Sequence, residues 1–389
     1  MKMDFTYCKL KDVLESIYSG GTPSTTVKEY WGGPYKWLSS GETGQRFITD
    51  TIDTITERGI RESSTKLAKR DSVVMACAGQ GKTRGQTSFL LDDMYVNQSV
   101  IVLNPDKEKV LPLYLFYDLT GRYDELRGGS DASSTRGSIT TTSLKTLSFR
   151  YPSMPEQKKI VSILSAYDNM IEVNNKRIKV LEQMAENLYK EWFVRFRFPG
   201  HETAEFENGI PKGWEIKRIG DISSIKAGGD RPEIYSDTPI NGINVPIYSN
   251  GIENDGLYGF TNNAVITEES VTISARGTVG FVFLRRVPYV PIVRLIAIVP
   301  NTDTINSLYL FYYLQRDSII ANGTSQQQIT VPMVSRKRII VPTKVLLDRF
   351  AEMQQLLWIE KDNLHEQNKH LIKQRDLLLP RLMSGKLEV

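Results

Sequence analysis

From Glu156 to Phe193 the chain reads EQKKIVSILSAYDNMIEVNNKRIKVLEQMAENLYKEWF, with neither glycine nor proline, and one long helix is expected there. Ile160, Leu164, Tyr167, Ile171, Asn174, Ile178, Leu181, Ala185, Leu188 and Trp192 step by four and three, a heptad seam whose clearly polar member is Asn174. A helix with so narrow an apolar stripe is stabilised by packing that stripe on a partner. One polar seam residue fixes register at some cost in stability; the other reading of Asn174 is a solvated edge. A second segment of this kind closes the chain, with Phe350, Leu357, Leu364, Leu371 and Leu378 recurring every seven residues until Pro380, which is expected to stop the helix. We read the two as halves of one antiparallel coiled coil. The competing reading is two unrelated amphipathic helices, each packed on its own domain.

The sequence around these helices favours the first reading, because it repeats. LYLFY occurs at Leu113–Tyr117 and again at Leu308–Tyr312, 195 residues on. Each copy follows an apolar run (SVIVLNP, Ser99–Pro105; LIAIVPN, Leu295–Asn301) and precedes a polar loop, a strand-like run ending at Pro152 or Pro342, and a heptad helix. Upstream, Asp71–Leu90 and Glu269–Arg286 each read as strand, glycine-containing turn, strand. The expected architecture is mixed α/β: two globular domains in pseudo-two-fold repeat, separated by two long helices that form an antiparallel coiled coil. Residues 1–153 make the first domain, 154–198 the central helix, 199–343 the linker and second domain, and 344–389 the C-terminal helix.

At 389 residues the chain exceeds what one core normally supports. Its formal net charge of +4 permits nucleic-acid binding without demanding it. Cys8 and Cys77 are too few for a disulfide framework, which points to a reducing cytoplasm. No run of about 20 apolar residues is present, so no membrane partner is expected. Three histidines without an HExxH or a Cys/His cluster argue against zinc.

A helix of this length, roughly 57 Å at 1.5 Å per residue, can space two readers along a duplex whose major-groove faces recur about every 34 Å. Base readout needs hydrogen-bonding side chains backed by Lys and Arg. The first half offers Gln80, Lys82, Arg84 and Gln86 on one turn, and Ser133, Ser134, Thr135 and Arg136 on another; Ser39 and Ser40 are further candidates. The second half offers Tyr248, Ser249 and Asn250, then Arg276 and Thr278, then Gln326, Gln327 and Gln328. Taken singly these are ordinary polar loops; as two sets at matching places they favour recognition of double-stranded DNA. Basic residues at Arg61, Lys66, Lys69 and Arg70, and at Arg336, Lys337 and Arg338, flank them in sequence and are expected at phosphates.

One motif competes. ACAGQGKT (Ala76–Thr83) fits the loose phosphate-loop pattern, in which Lys and Thr serve phosphate and magnesium at a helix N-terminus. The following TRGQTSFLLDD has Gly85, two β-branched threonines and no 3.6-residue period, a poor helix, and we read the match as accidental. A hydrolase using Gly81, Lys82 and Thr83 ranks last. A coiled-coil adaptor without DNA readout is the runner-up.

In combination, GGTPSTTVKEYWGGPYKWLSSGE (Gly20–Glu42), PKGWEIKRIGDI (Pro211–Ile222), VPIYSNGIENDGLYGFT (Val245–Thr261), the PSMPEQKKI helix and LLLPRLMSGKLEV resemble the specificity subunits of type I restriction-modification systems over essentially the whole chain. The resemblance implies a non-catalytic subunit whose two target recognition domains read a bipartite target. It further implies two methyltransferase subunits and restriction/translocase subunits as partners, with S-adenosylmethionine, ATP and magnesium bound by those partners and none by this chain. The second copy has VPTKVLLDRF in place of PSMPEQKKI, so its helix is expected to begin somewhat differently.

Overall fold

The computed structural model describes residues 3–79, 81–131, 137–316 and 328–387. The chain forms two compact units, residues 1–173 with 367–389 and residues 174–366.

In the first unit the strands are β1 (Thr6–Lys9), β2 (Leu14–Ser19), β3 (Trp31–Leu38), β4 (Phe47–Ile48), β5 (Asp53–Ile55), β6 (Lys66–Ala68), β7 (Val73–Ala76), β8 (Thr87–Leu90), β9 (Met94–Val96), β10 (Val100–Pro105) and β11 (Ser148–Tyr151). The short helices are α1 (Glu57–Arg61), α2 (Pro112–Gly121), α3 (Tyr123–Asp131) and α4 (Thr141–Thr146). Two sheets lie in the orders β2-β10-β7-β8-β4 and β5-β3-β9-β6, and β1 pairs with β11. Period-two alternation decides the layering. Val73, Met75, Ile101 and Leu103 share a core with Tyr114–Tyr117 of α2, while Val74, Val100 and Val102 share another with Leu38, Ala68, Leu90, Met94 and Val96. The central sheet is therefore buried on both faces, which is why VVMA and VIVL read as unbroken apolar runs.

The second unit repeats this plan with β12 (Phe206–Glu207), β13 (Ile210–Pro211), β14 (Glu215–Arg218), β15 (Ser223–Ala227), β16 (Val245–Tyr248), β17 (Leu257–Thr261), β18 (Ser270–Ile273), β19 (Val282–Arg285), β20 (Val290–Pro291), β21 (Ile296–Pro300) and β22 (Arg338–Val341). Its sheets β15-β21-β18-β19 and β17-β16-β20, and its pair β14-β22, match three arrangements of the first unit, down to a parallel β16–β20 pair that corresponds to β3–β9. The second LYLFY copy lies in α6 (Ser307–Arg316), as the first lies in α2, and α7 (Val331–Arg336) matches α4.

The long helices are α5 (Met154–Tyr189, 36 residues), which runs on into a π-helical turn at Lys190–Val194, and α8 (Lys344–Met383, 40 residues). The two helices pair antiparallel within each unit. In the first, Arg375 of α8 bonds Asp168 of α5 at 2.6 Å; in the second, Arg177 meets Glu360 at 2.6 Å, Lys361 meets Glu182 at 3.6 Å, and Gln354 donates to the Ala185 carbonyl at 2.7 Å. Ile160, Leu164, Asn174, Ile178 and Leu364 are buried in the seam; Ile171, Leu181, Leu188, Leu357, Leu371 and Leu378 are half-buried.

Three expectations need correction. Asp168 and Tyr189 are buried more deeply than their neighbours Tyr167 and Leu188, which are half-buried, because a 3.6-residue helix drifts against a 3.5-residue repeat. Pro380 does not end α8, which reaches Met383; it sits in the last turn, where Leu379, Leu382 and Met383 are held in the first unit's core. The two long helices also begin at matching positions, Met154 and Lys344, but are held differently: buried Gln157 bonds the Leu111 amide and the Lys109 and Pro152 carbonyls through its side chain, whereas Leu347 takes its place with an apolar side chain, its carbonyl accepting from Asn306.

Candidate nucleic-acid interface

Each unit presents one turn between two neighbouring strands of its first sheet, braced by a downstream segment. In the first, β7 and β8 join through Cys77–Gln86, and the Ile139 amide donates to the Cys77 carbonyl at 2.9 Å. In the second, β18 and β19 join through Ser274–Phe281, and the Ile329 amide donates to the Ala275 carbonyl at 3.1 Å. Gly79, Gly81 and Gly85, and then Gly277 and Gly280, take positive φ in these turns, which a side chain would resist.

Lys82 stands exposed on the first turn with Gln86 half-buried behind it; Arg276 and Thr278 stand exposed on the second, and Gln328 is exposed beside Ile329. Neither Lys82 nor Arg276 is ion-paired among the described residues, so both cations face solvent. Such donors can reach phosphate oxygens or base edges. Gln80, Ser133, Ser134, Thr135, Arg136, Gln326 and Gln327 lie outside the described residues.

Other candidates are built into the scaffold. Arg84 is 6% exposed, and its Nη1 donates to the Gly137 carbonyl at 2.8 Å, so it braces the turn and does not stand on it. Ser39 caps a short turn, its amide and hydroxyl both donating to Glu42, and the Ser40 carbonyl accepts the Thr43 hydroxyl. Asn250 donates to the Val293 carbonyl at 2.7 Å and accepts the Ala275 amide at 2.7 Å, and Tyr248 lies under the Arg285 guanidinium at 3.6 Å. Lys69 and Arg70 precede β7 and Lys82 follows it, so this strand, about 13 Å long, separates the basic run from the turn it was expected to flank. Residues unmarked in sequence also support the turns. Tyr123 donates to the Lys82 carbonyl at 2.8 Å, and the aromatic opening of α3 is the one cue that could have found it.

The phosphate-loop match is spent in this turn. Thr87 opens strand β8, and no helix N-terminus follows Lys82. The described residues hold no cluster of three metal-ligating side chains, and none of their helices is long and apolar enough to cross a membrane.

The model of the type I restriction modification DNA specificity domain matches residues 2–183 and again 211–355. The chain belongs to that family. This specificity chain is similar to the MjaIX type I restriction enzyme specificity subunit of Methanocaldococcus jannaschii, 29% identical over 99% of this chain and 94% of that one. It is also similar to the HindI specificity subunit of Haemophilus influenzae, 24% identical over 76% and 82%. The crystal structure of a type I restriction-modification S subunit from M. genitalium shares its fold, with a TM-score of 0.59 and 16% identity over 98% and 96% of the two chains. A specificity chain supplies the DNA sequence specificity of a type I system, binding DNA and assembling with the system's other subunits, and is not its catalyst. The matches lend no support to an adaptor without DNA readout.

Proposed function

We propose that each unit reads one half of an asymmetric, two-part DNA sequence across a fixed, unspecified spacer. The observation that carries this reading is the duplicated turn: Lys82 and Gln86 in one unit, and Arg276, Thr278 and Gln328 in the other, stand on equivalent strand connections braced by equivalent backbone bonds. Gln80, Ser133, Thr135, Arg136, Gln326 and Gln327, neighbours of these residues in sequence or of the segments that brace the turns, complete the contact set in this reading. Helices α5 and α8, unbroken over 36 and 40 residues, set the separation of the half-sites. Two methyltransferase subunits, working in the cytoplasm with S-adenosylmethionine, flip and methylate an adenine in each half-site. Restriction/translocase subunits bring ATP and magnesium.

Deleting one heptad from both helices removes about 10 Å of helix, equivalent to about three base pairs. Mapping methylated adenines in cells carrying this altered chain should then show both half-sites intact and the spacer about three base pairs shorter. An unchanged spacer would end the ruler role, and loss of one half-site alone would end the division of labour.

A further inference from the structure

A strand of the second sheet of each unit runs out into matching sequence, Leu38-Ser39-Ser40-Gly41 from the end of β3 and Tyr248-Ser249-Asn250-Gly251 from the end of β16. The backbone agrees: the Asn97 amide donates to the Leu38 carbonyl at 3.1 Å, and the Ile292 amide to the Tyr248 carbonyl at 2.9 Å. The loop that follows touches the candidate turn in both units. In the first, the Thr43 carbonyl accepts the Ser88 hydroxyl at 3.0 Å and Gly44 lies beside the Gln86 amide group; in the second, Asn250 accepts the Ala275 amide.

Each loop is held by a buried formal charge with no counter-ion among the described residues. Glu42 is 6% exposed; its carboxylate accepts the Ser39 amide at 3.0 Å, the Ser39 hydroxyl at 2.9 Å and the Ile52 amide at 2.8 Å. No cation among the described residues lies within ion-pair distance. Arg285 is 3% exposed; it donates to the Asp255 carbonyl at 2.7 Å and the Thr272 hydroxyl at 2.9 Å and covers the Tyr248 ring, with no carboxylate of the described residues within that distance. Asn254 and Asp255, both in the left-handed region, form the stretch of loop it grips. Burying a charge among neutral groups is unfavourable, so closing a turn does not by itself call for either.

The first unit shows that this interior does not need a charge at the arginine's position. Strand pairing puts Leu90 opposite Arg285 in the repeat and Val74 opposite Thr272. Leu38, Val74 and Leu90 form one apolar cluster; Tyr248, Thr272 and Arg285 replace all three together, with Arg285 touching the other two. A set of three exchanged as a whole serves what its parts do jointly, and here that is a grip on the loop beside the turn.

We infer that Glu42 and Arg285 are positioning residues for DNA specificity, each fixing the loop against which its own unit's reading turn is set. This rests on the two-part reading proposed above. The test uses the intact type I complex on a pool of duplexes randomised in both half-sites and at several spacers. Its variants are Glu42→Gln, which keeps the shape of the acceptor but lacks its charge, and Arg285→Leu, the residue of the sister unit. Arg285→Lys keeps the charge but loses the planar fork. The unaltered complex, run first, establishes whether the preferred pool has two separated halves; a single contiguous preference would defeat the two-part reading itself.

Given two halves, Glu42→Gln should flatten base preference in the first unit's half about tenfold and Arg285→Leu in the second unit's half, each leaving the other half and the salt dependence of non-specific binding unchanged. Arg285→Lys should fall with Arg285→Leu. The untouched half reports in the same molecule that the chain is folded. Equal weakening on all sequences, flattening of both halves, or full preference in either the Glu42→Gln or the Arg285→Leu complex would overturn the inference.

Discussion

At the scale of single residues, burial decides more than residue type does. Asp118 on α2 is 9% exposed, with the Arg122 guanidinium 3.4 Å away. Burial pushes its pKa up to about 6, and Arg122 offsets only part of that. An unfolded aspartate titrates near 3.9, so between about pH 4 and pH 6 the folded chain holds more protons than the unfolded one, and stability falls as pH rises through that window. The penalty, at most about 3 kcal/mol, is absent below about pH 4 and complete above about pH 7. Comparing urea midpoints of the natural chain and Asp118→Asn from pH 4 to pH 8 should show the variant gaining on the natural chain across that window; a constant gap would count against it. Nothing in DLTGRYDEL marks Asp118 as buried, just as nothing in GKTRGQ marks Arg84. Both look like surface charges, because their burial is imposed by segments distant in sequence. Arg84 depends on Gly137, where a side chain would collide with its guanidinium.

At the scale of elements, the two long helices show how far periodicity reads. The seam and its partner were legible because apolar spacing reports the face a helix buries. Which polar residues join that face was not, because a buried charge is settled by its partners. Asp168 accepts bonds from Arg375 at 2.6 Å and Tyr117 at 2.7 Å, and Arg46 approaches it to 3.3 Å. The repeat offset of 190 between Pro152 and Pro342 maps this pair onto Trp358 and Ala185, so the second unit fills the same two positions with uncharged side chains. Asp168→Ala should destabilise the first unit by about 1–3 kcal/mol, since Tyr117 loses its acceptor and Arg375 is left with Asp376, 2.8 Å away, as its carboxylate. Asp168→Trp with Arg375→Ala, the sister arrangement, should recover a large part. Denaturant unfolding of both variants checks this, and a double variant no better than the single would show that the pair is not coupled. The LYLFY helices follow the same logic: Tyr117 and its repeat partner Tyr312 bond Asp168 and Gln354, each on a long helix of its own unit.

At the scale of the whole chain, the duplication was the most legible feature, because five features in one order outweigh chance where any one of them would not. The reading surface was legible only in part. Exposed Lys82, Arg276 and Thr278 stand on turns marked by glycine, but Asn250 and Tyr248 are consumed inside the second unit by bonds that no local pattern announces. Division of labour makes a prediction at this scale. Arg276→Ala should relax the second unit's half-site alone, by about 1–3 kcal/mol if it forks onto a guanine, as read by competition binding against base-substituted duplexes. Equal loss on every sequence would make it a phosphate contact.

The opposite signs of Glu42 and Arg285 carry a lesson for anyone redesigning such a protein. The recognition segments of the two halves are not interchangeable parts: Glu42 travels with the loop it shapes, whereas a loop cut from the second half would arrive in the first without Arg285. Transplanting 249–256 would require Tyr248, Thr272 and Arg285 to travel with it. New addresses are better sought by varying the exposed tips of the turns while leaving both anchors in place.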